Sequence, residues 1–307
     1  MKTLDKKEAL KELFSLPGVD AMSDEPMKAH TSLRLGGPAD VFVRPSDADS
    51  LRGALEVSAR HGIEAVPLGG GTNTLVRDGG IRGVVVSLEG LKGLRTVERG
   101  EEVLIKAGAG QSLQKIIALS RKSGLTGMEG LSGIPGTLGG AIAGNAGSFG
   151  FEIKDVLSEV TLMDGDGVVR NIEAGRLGFG YREAAIQPGG IIVSATLILR
   201  KDRPESVAKR IEDFSARRRQ SQPLSEKSAG CVFKNPPGQS AGRLIEEAGC
   251  KGMKAGAIEV SRVHANFFIN TGEGRADDFL RLMELVLGRV GEASGITLEP
   301  EIRIKGC

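Results

Sequence analysis

Apolar positions along the chain fall into two rhythms. Short apolar runs bounded by turn residues, AVPLG (65–69) and GVVVSL (83–88), predict buried strands. EVLIKAGAG (102–110) predicts a strand ending in glycine, and QSLQKIIALSRKSG (111–124) has helical spacing with a glycine stop. EVTLMDGDGVVRNIE (159–173) reads as a hairpin turned at Asp164–Gly165, followed by a strand in GIIVSATLILR (190–200). The pattern then changes. RPESVAKRIEDFSARRRQSQPLS (203–225) is polar and helical and runs into a proline-bearing loop, which predicts a boundary near residue 200. Beyond it the spacing predicts a helix around 240–250, a strand in HANFFIN (264–270), a helix over 275–291 and a terminal strand in ITLEPEIRIKG. No internal repeat or low-complexity segment interrupts this order.

In the terminal strand, period two places Leu298, Pro300, Ile302 and Ile304 on one face and Glu299, Glu301 and Arg303 on the other. For an isolated strand the charged face reads as solvated.

The first residues, MKTLDKKEALKELFSLPG, have a charged amphipathic helical pattern without the apolar core of a signal peptide, so a cytosolic location is expected. At 307 residues, two or three packed units are expected. The 41 basic and 39 acidic residues leave a net charge of +2, which points to neither a nucleic-acid footprint nor a polybasic membrane patch. Cys231, Cys250 and Cys307 lack metal-ligand spacing and are odd in number, so three free thiols and no metal site are expected.

Glycine departs from the average: 45 residues is about twice the usual ~7%. The clusters lie at 68–83, 107–110 and 124–150, and such loops suit a large cofactor held by backbone N–H groups. AGAG (107–110) lacks the third glycine of a dinucleotide fingerprint and reads as a tight strand-to-helix turn. GGGTNTLVRDGG reads equally as a surface loop or as a phosphate cradle in which Thr72 and Asn73 supply donors. His264 reads as a satisfied strand histidine. Arg182, beside the lone tyrosine Tyr181, is either a surface arginine or a guanidinium suited to a planar carboxylate.

Six stretches in order, HTSLRLGGPADVFVRP (30–45), PLGGGTNTLVRDGGIRGVVVSL (67–88), GLSGIPGTLGGAIAGNAGSFG (130–150), LGFGYREAA (177–185), SAGCVFKNP (228–236) and LEPEIRIKG (298–306), resemble the UDP-N-acetylenolpyruvoylglucosamine reductases. The resemblance spans nearly everything after residue 28. It implies an α+β fold: a vanillyl-alcohol-oxidase (PCMH)-type FAD-binding domain of two subdomains plus a C-terminal α+β substrate-binding domain. The expected boundaries are an N-terminal helical segment over 1–28, the FAD-binding region over 29–200 (about 29–90 and 91–200), and the substrate domain over 201–307. Arg182 and Cys231 are only 49 positions apart (231 − 182) and no tyrosine follows Tyr181, so the chain resembles the shorter type lacking a tyrosine-bearing insertion.

The resemblance implies FAD as cofactor, NADPH as co-substrate and a UDP-sugar enolpyruvyl ether as substrate, in peptidoglycan precursor synthesis by a cytoplasmic monomer. It gives Arg182 the charge developing on the substrate carboxylate, Glu301 the assisting acid, and Cys231 the proton donor to C2, where many members have serine. A thiol, with an ordinary pKa near 8.5, is a far stronger acid than an alcohol, and Cys231 is expected to be the most reagent-sensitive residue, with Cys250 and Cys307 buried. Tyr181, Arg219, Asn235 and His264 fall at substrate positions. Gly69, Gly70, Gly71, Thr72, Asn73, Thr74, Leu75, Gly133, Ile134, Gly139, Asn145 and Ala146 fall at FAD. The competing readings are a flavin-dependent alcohol or sugar oxidase of the same fold and a non-catalytic nucleotide-sugar-binding protein.

Overall fold

The computed structural model describes residues 3–307, with side chains described from Glu8 onward. Seven α-helices are described: α1 (Thr3–Ser15), α2 (Ala48–Arg60), α3 (Leu113–Ser123), α4 (Leu138–Ala143), α5 (Pro204–Ser221), α6 (Ala241–Glu247) and α7 (Ala276–Ser294). The chain divides into two compact units. One comprises the chain up to Asp24 with Asp40–Gly70 and Gly83–Arg217; the other comprises Glu25–Ala39, Gly71–Arg82 and Arg218–Cys307.

The first unit holds two sheets. In one, the order is Val19–Pro26, Pro38–Pro45, Ile81–Ser87, Ala65–Leu68, with the last two parallel. Valines 41, 43, 84 and 86 pack with Leu13 of α1 and Leu51, Ala54 and Leu55 of α2 in a single apolar cluster. The chain enters α2 through a capping box: the Asp47 carboxylate accepts the Ser50 N–H at 2.8 Å while the Ser50 hydroxyl accepts the Asp47 N–H at 3.1 Å. The second sheet is antiparallel, ordered Val169–Glu173, Leu157–Met163, Ile191–Lys201, Glu102–Gly108, Leu94–Arg99, with Leu125–Thr126 paired to the end of the long strand. It is packed by Leu113, Ile116 and Ile117 of α3 and by Leu138 and Ile142 of α4. Helix α3 stops where its sequence predicts, at Gly124 in the left-handed region (φ +60).

The second unit has a three-stranded antiparallel meander, Lys254–Ala255, Ile258–Val260 and Phe268–Asn270, and a parallel pair joining Thr74–Val76 to Arg303–Lys305. Phe279, Leu282, Met283, Val286 and Val290 of α7 form the inner face of its core.

Three sequence expectations change. The 159–173 hairpin turns through five residues rather than at Asp164–Gly165: the Asp164 carboxylate accepts the N–H groups of Asp166 and Val168, and the positive φ falls on Gly167. The terminal segment is strand only over Arg303–Lys305. Leu298 and Ile302 are buried as their spacing requires, yet Pro300 is exposed. In HANFFIN the strand begins at Phe268, so His264 lies in the preceding turn. Val19–Pro26 is a strand for which the pattern gave no signal.

Candidate active site

In the first unit the glycine tracts converge on the start of α4. The N–H groups of Leu138 and Gly139 donate to the carbonyls of Gln111 and Ala109, both at 2.8 Å, and Thr137 caps α4. A Cβ on Gly139 would lie 2.9 Å from the Ala109 Cβ, one on Gly69 2.8 Å from the Thr137 hydroxyl, and one on Gly70 3.2 Å from the Gly136 Cα. At each position the facing chain fills the space a side chain would take, so glycine permits this close packing. Gly133 (φ +77) donates its N–H to the Gln114 side chain at 3.0 Å, and the same amide donates to the Ile134 carbonyl at 2.7 Å.

Asn145 follows, fully buried and in the left-handed region (φ +38). Its Nδ2 donates to the Gly180 carbonyl at 3.0 Å, whereas its Oδ1 has no hydrogen-bond partner among the described residues. Buried polar atoms are nearly always paired, so this oxygen fits a donor supplied by a bound molecule. The Ala146 carbonyl accepts the Ile153 N–H, which holds the segment in place.

Gly180 opens a two-residue hairpin loop, Tyr181–Arg182, between Phe179–Gly180 and Glu183–Ala184. Arg182 adopts φ +62, stacks 5.6 Å from the Tyr181 ring centroid and donates from Nη1 to the Gly147 carbonyl at 2.9 Å. A non-glycine residue held there costs on the order of 1–3 kcal/mol, and such outliers cluster at functional sites. Asn145 and Gly147 thus grip the hairpin at two points.

The other predicted site residues lie in the second unit. Gly71 (φ +61) has no room for a Cβ against the His30 carbonyl, and its own carbonyl accepts the Ser32 N–H, so part of the glycine signal at 69–71 reflects chain-on-chain packing. Leu75 is a core side chain. Asn73 Nδ2 donates to the Glu301 carbonyl at 3.2 Å, and Thr74–Val76 continues this pairing against Arg303–Lys305.

Cys231 begins a segment laid between two others. It forms a bridge with Phe267, the Val232 N–H donates to the Asn266 carbonyl at 2.8 Å, and the Val232 carbonyl accepts the Glu301 N–H at 2.8 Å. Cys231 is partly exposed, Cys250 is buried and Cys307 is exposed, which corrects the expected burial of Cys307. Burial also pushes the Cys250 thiol pKa up.

Asn235 accepts the Ala241 N–H on Oδ1 at 2.9 Å. The His264 Nδ1 accepts the Asn266 N–H at 3.3 Å, and burial, with a smaller push from the Lys251 ammonium, lowers its pKa. The ring is therefore neutral near pH 7, with its proton on Nε2. Of the arginines before Cys231, Arg217 lies over the Phe214 ring, Arg218 is 6% exposed and donates to Gln222 at 3.0 Å, and Arg219 is exposed. Asn266, which sequence reasoning missed, is buried and pairs through its side chain with both the N–H (2.9 Å) and the carbonyl (2.8 Å) of Phe233.

Two family models match the chain: an FAD binding domain over 39–173, and UDP-N-acetylenolpyruvoylglucosamine reductase, C-terminal domain, over 222–305. The UDP-N-acetylenolpyruvoylglucosamine reductase of Geobacter sulfurreducens is 44% identical over 289 residues, 94% of each chain. The crystal structure of UDP-N-acetylenolpyruvylglucosamine reductase from Thermus caldophilus superposes with a TM-score of 0.79 at 36% identity, covering 94% of this chain and 99% of that one. Physcomitrella patens BBE-like 1, 19% identical, shares the fold alone, at a TM-score of 0.51 over 91% of this chain and 60% of its own. With likeness of this extent in sequence and in fold, the chain belongs to the UDP-N-acetylenolpyruvoylglucosamine reductase family.

Proposed function

We propose that this chain reduces UDP-N-acetylglucosamine enolpyruvate to UDP-N-acetylmuramate, a step in cytoplasmic peptidoglycan precursor synthesis, with FAD as cofactor and NADPH as co-substrate. The observation that carries the reading is the register of Val232 against Glu301, which brings a thiol and a carboxylate that the motifs single out onto adjacent segments.

The residues fit FAD. The unpartnered Oδ1 of Asn145 would accept a donor from FAD, and the motifs assign Gly69, Gly70, Gly133, Ile134, Gly139 and Ala146 to the same cofactor. The motifs also assign Gly71, Thr72, Asn73, Thr74 and Leu75, of the second unit, to FAD. FAD held there would supply the hydride taken up at C3 of the enolpyruvyl group.

The chain's own residues manage the rest. As C3 gains hydride, the C2–C3 π electrons move toward C2 and the carboxylate. The Arg182 guanidinium offers paired donors to that carboxylate, and a preorganised donor at developing negative charge is worth ~3–4 kcal/mol of barrier. Holding Arg182 in a strained conformation keeps the donors aimed without reorganisation. Glu301 assists at the charged end. The Cys231 S–H then bonds its proton to C2, and the thiolate left behind regains a proton from solvent. Tyr181, Arg219, Asn235 and His264 hold the substrate, His264 through its Nε2–H and Asn235 through the amide nitrogen left after its oxygen binds the Ala241 N–H.

Purified protein is expected to be yellow, to bleach with NADPH and to recolour on adding UDP-N-acetylglucosamine enolpyruvate. Protein that is colourless and takes up no FAD would remove the reading.

A further inference from the structure

We infer that Asn266 is a positioning residue for the proton donor, its side-chain amide replacing a strand partner for Phe233 and thereby fixing Cys231 two residues earlier. The inference rests on the reading of Cys231 as the acid that protonates C2.

Val232 and Phe233 present four backbone polar groups, and Asn266 takes three of them. Its carbonyl accepts the Val232 N–H at 2.8 Å, its Oδ1 accepts the Phe233 N–H at 2.9 Å, and its Nδ2 donates to the Phe233 carbonyl at 2.8 Å. The fourth, the Val232 carbonyl, accepts from Glu301. A neighbouring strand in regular register bonds only alternate residues, so two consecutive residues cannot both be held from one side by main chain alone. An amide side chain carries both a donor and an acceptor and fills the gap. Asn266 is 2% exposed, so water offers no substitute for it.

On its other side Cys231 follows Gly230, which has φ +76 and no atom within 4 Å of where a Cβ would stand. Cys231 itself bridges Phe267, and Asn266 clamps the two residues that follow it. The direction of the S–H is set from the clamped side, and a misplacement of about 1 Å at a reacting group can cost about 100-fold in rate.

The test uses the FAD-loaded enzyme, UDP-N-acetylglucosamine enolpyruvate and D₂O, and reads kcat, KM and the stereochemistry of deuterium at C2, with retained FAD and thermal melting recorded alongside. Asn266→Ala is expected to lower kcat about 100-fold, to leave KM nearly unchanged and to scramble C2 deuteration. Asn266→Asp, of the same size, carries the test if the alanine variant does not accumulate. Its ionised carboxylate accepts from Phe233 N–H but opposes the Phe233 carbonyl, whereas the protonated acid restores both bonds. Buried carboxyls protonate at raised pH, so the aspartate variant should regain turnover and single-sided deuteration as pH is lowered. The alanine variant keeps the neighbouring Cys231, Glu301 and His264, whose Nδ1 accepts from Asn266, and should show no such recovery. A folded, yellow Asn266→Asp with wild-type kcat and single-sided deuteration across the pH range would overturn the inference. Full single-sided deuteration in Cys231→Ala would instead remove the proton-donor reading itself.

Discussion

The Glu301 N–H donates to the Val232 carbonyl at 2.8 Å, while the Glu299 carbonyl accepts the Lys234 N–H at the same distance. The two glutamates therefore sit in one ladder, but their side chains differ. Glu299 is 75% exposed, with the Lys234 ammonium 3.5 Å away, and Glu301 is half-buried next to the Cys231 segment. Glu301→Gln should impair substrate reduction, whereas Glu299→Gln should change stability by no more than about 0.5 kcal/mol and leave turnover intact. Equal losses of turnover would mean that the wrong glutamate has been assigned.

Arg182→Lys should stay folded and yellow but turn over about 10²–10³-fold more slowly, since an ammonium cannot reproduce the paired donors of a guanidinium. Rapid mixing with NADPH should still bleach the flavin at nearly the wild-type rate, placing the defect in the substrate-reducing half. A lysine variant with wild-type turnover takes Arg182 out of the mechanism.

Cys231→Ser should retain substantial activity because a hydroxyl can donate in the same place, and Cys231→Ala should lose about 10²–10⁴-fold. Iodoacetamide gives an independent check, provided the exposed Cys307 is first replaced by serine. In that background Cys231 should label and bound substrate should protect it. Cys250 should not react, because burial both hides its thiol and disfavours the thiolate. Labelling of Cys231 at equal rates with and without substrate would separate the thiol from the site.

What the sequence made legible, and what it left hidden, follows from how local each feature is. Helix α3 and its stop at Gly124 follow from spacing within a dozen residues, and the buried Leu298 and Ile302 follow from alternation. Val19–Pro26 is an edge strand in which Val19 and Ala21 pack against the core, an alternation too short to stand out among the polar residues that follow. The role of Asn266 depends on Phe233, 33 positions away, and the grip of Asn145 on Gly180 spans 35. Those partners become neighbours only in the fold. The glycine clusters predict ligand approach, yet Gly71 also lets one stretch of chain lie against another.

His264 should give the protein an acid-side loss of stability. Its pKa is lowered in the folded chain, chiefly by burial, so it stays neutral where the unfolded chain takes up a proton. Stability is then full above about pH 6.5, the ordinary imidazole value, and is lost as pH falls from there through the depressed folded value. Melting temperatures of wild type and His264→Gln should run parallel at alkaline pH, with the wild type falling faster below about pH 6.5. Parallel curves down to acid pH would show that His264 takes up its proton equally in both states.

Helix α7 depends on a cap brought from far along the chain. Its own N-cap residue, Arg275, provides no side-chain acceptor, and the first N–H groups, of Ala276 and Asp277, donate instead to the Asp78 carboxylate at 3.0 and 3.1 Å. Those groups lack intrahelical partners in any helix, and a carboxylate there also meets the positive end of the helix dipole. Because the inner face of α7 forms much of the second unit's core, loosening its first turn loosens the packing of Phe279 and Leu282. Asp78→Ala should cost roughly 1–2 kcal/mol in urea unfolding, and Asp78→Asn, which keeps an acceptor but loses the charge, distinctly less. Asp78 also lies 3.4 Å from the Arg275 guanidinium, an exposed pair of the kind worth about 0–1 kcal/mol. Arg275→Ala should therefore be the milder change. If Arg275→Ala cost as much as Asp78→Ala, the ion pair and not the cap would be what Asp78 contributes to α7.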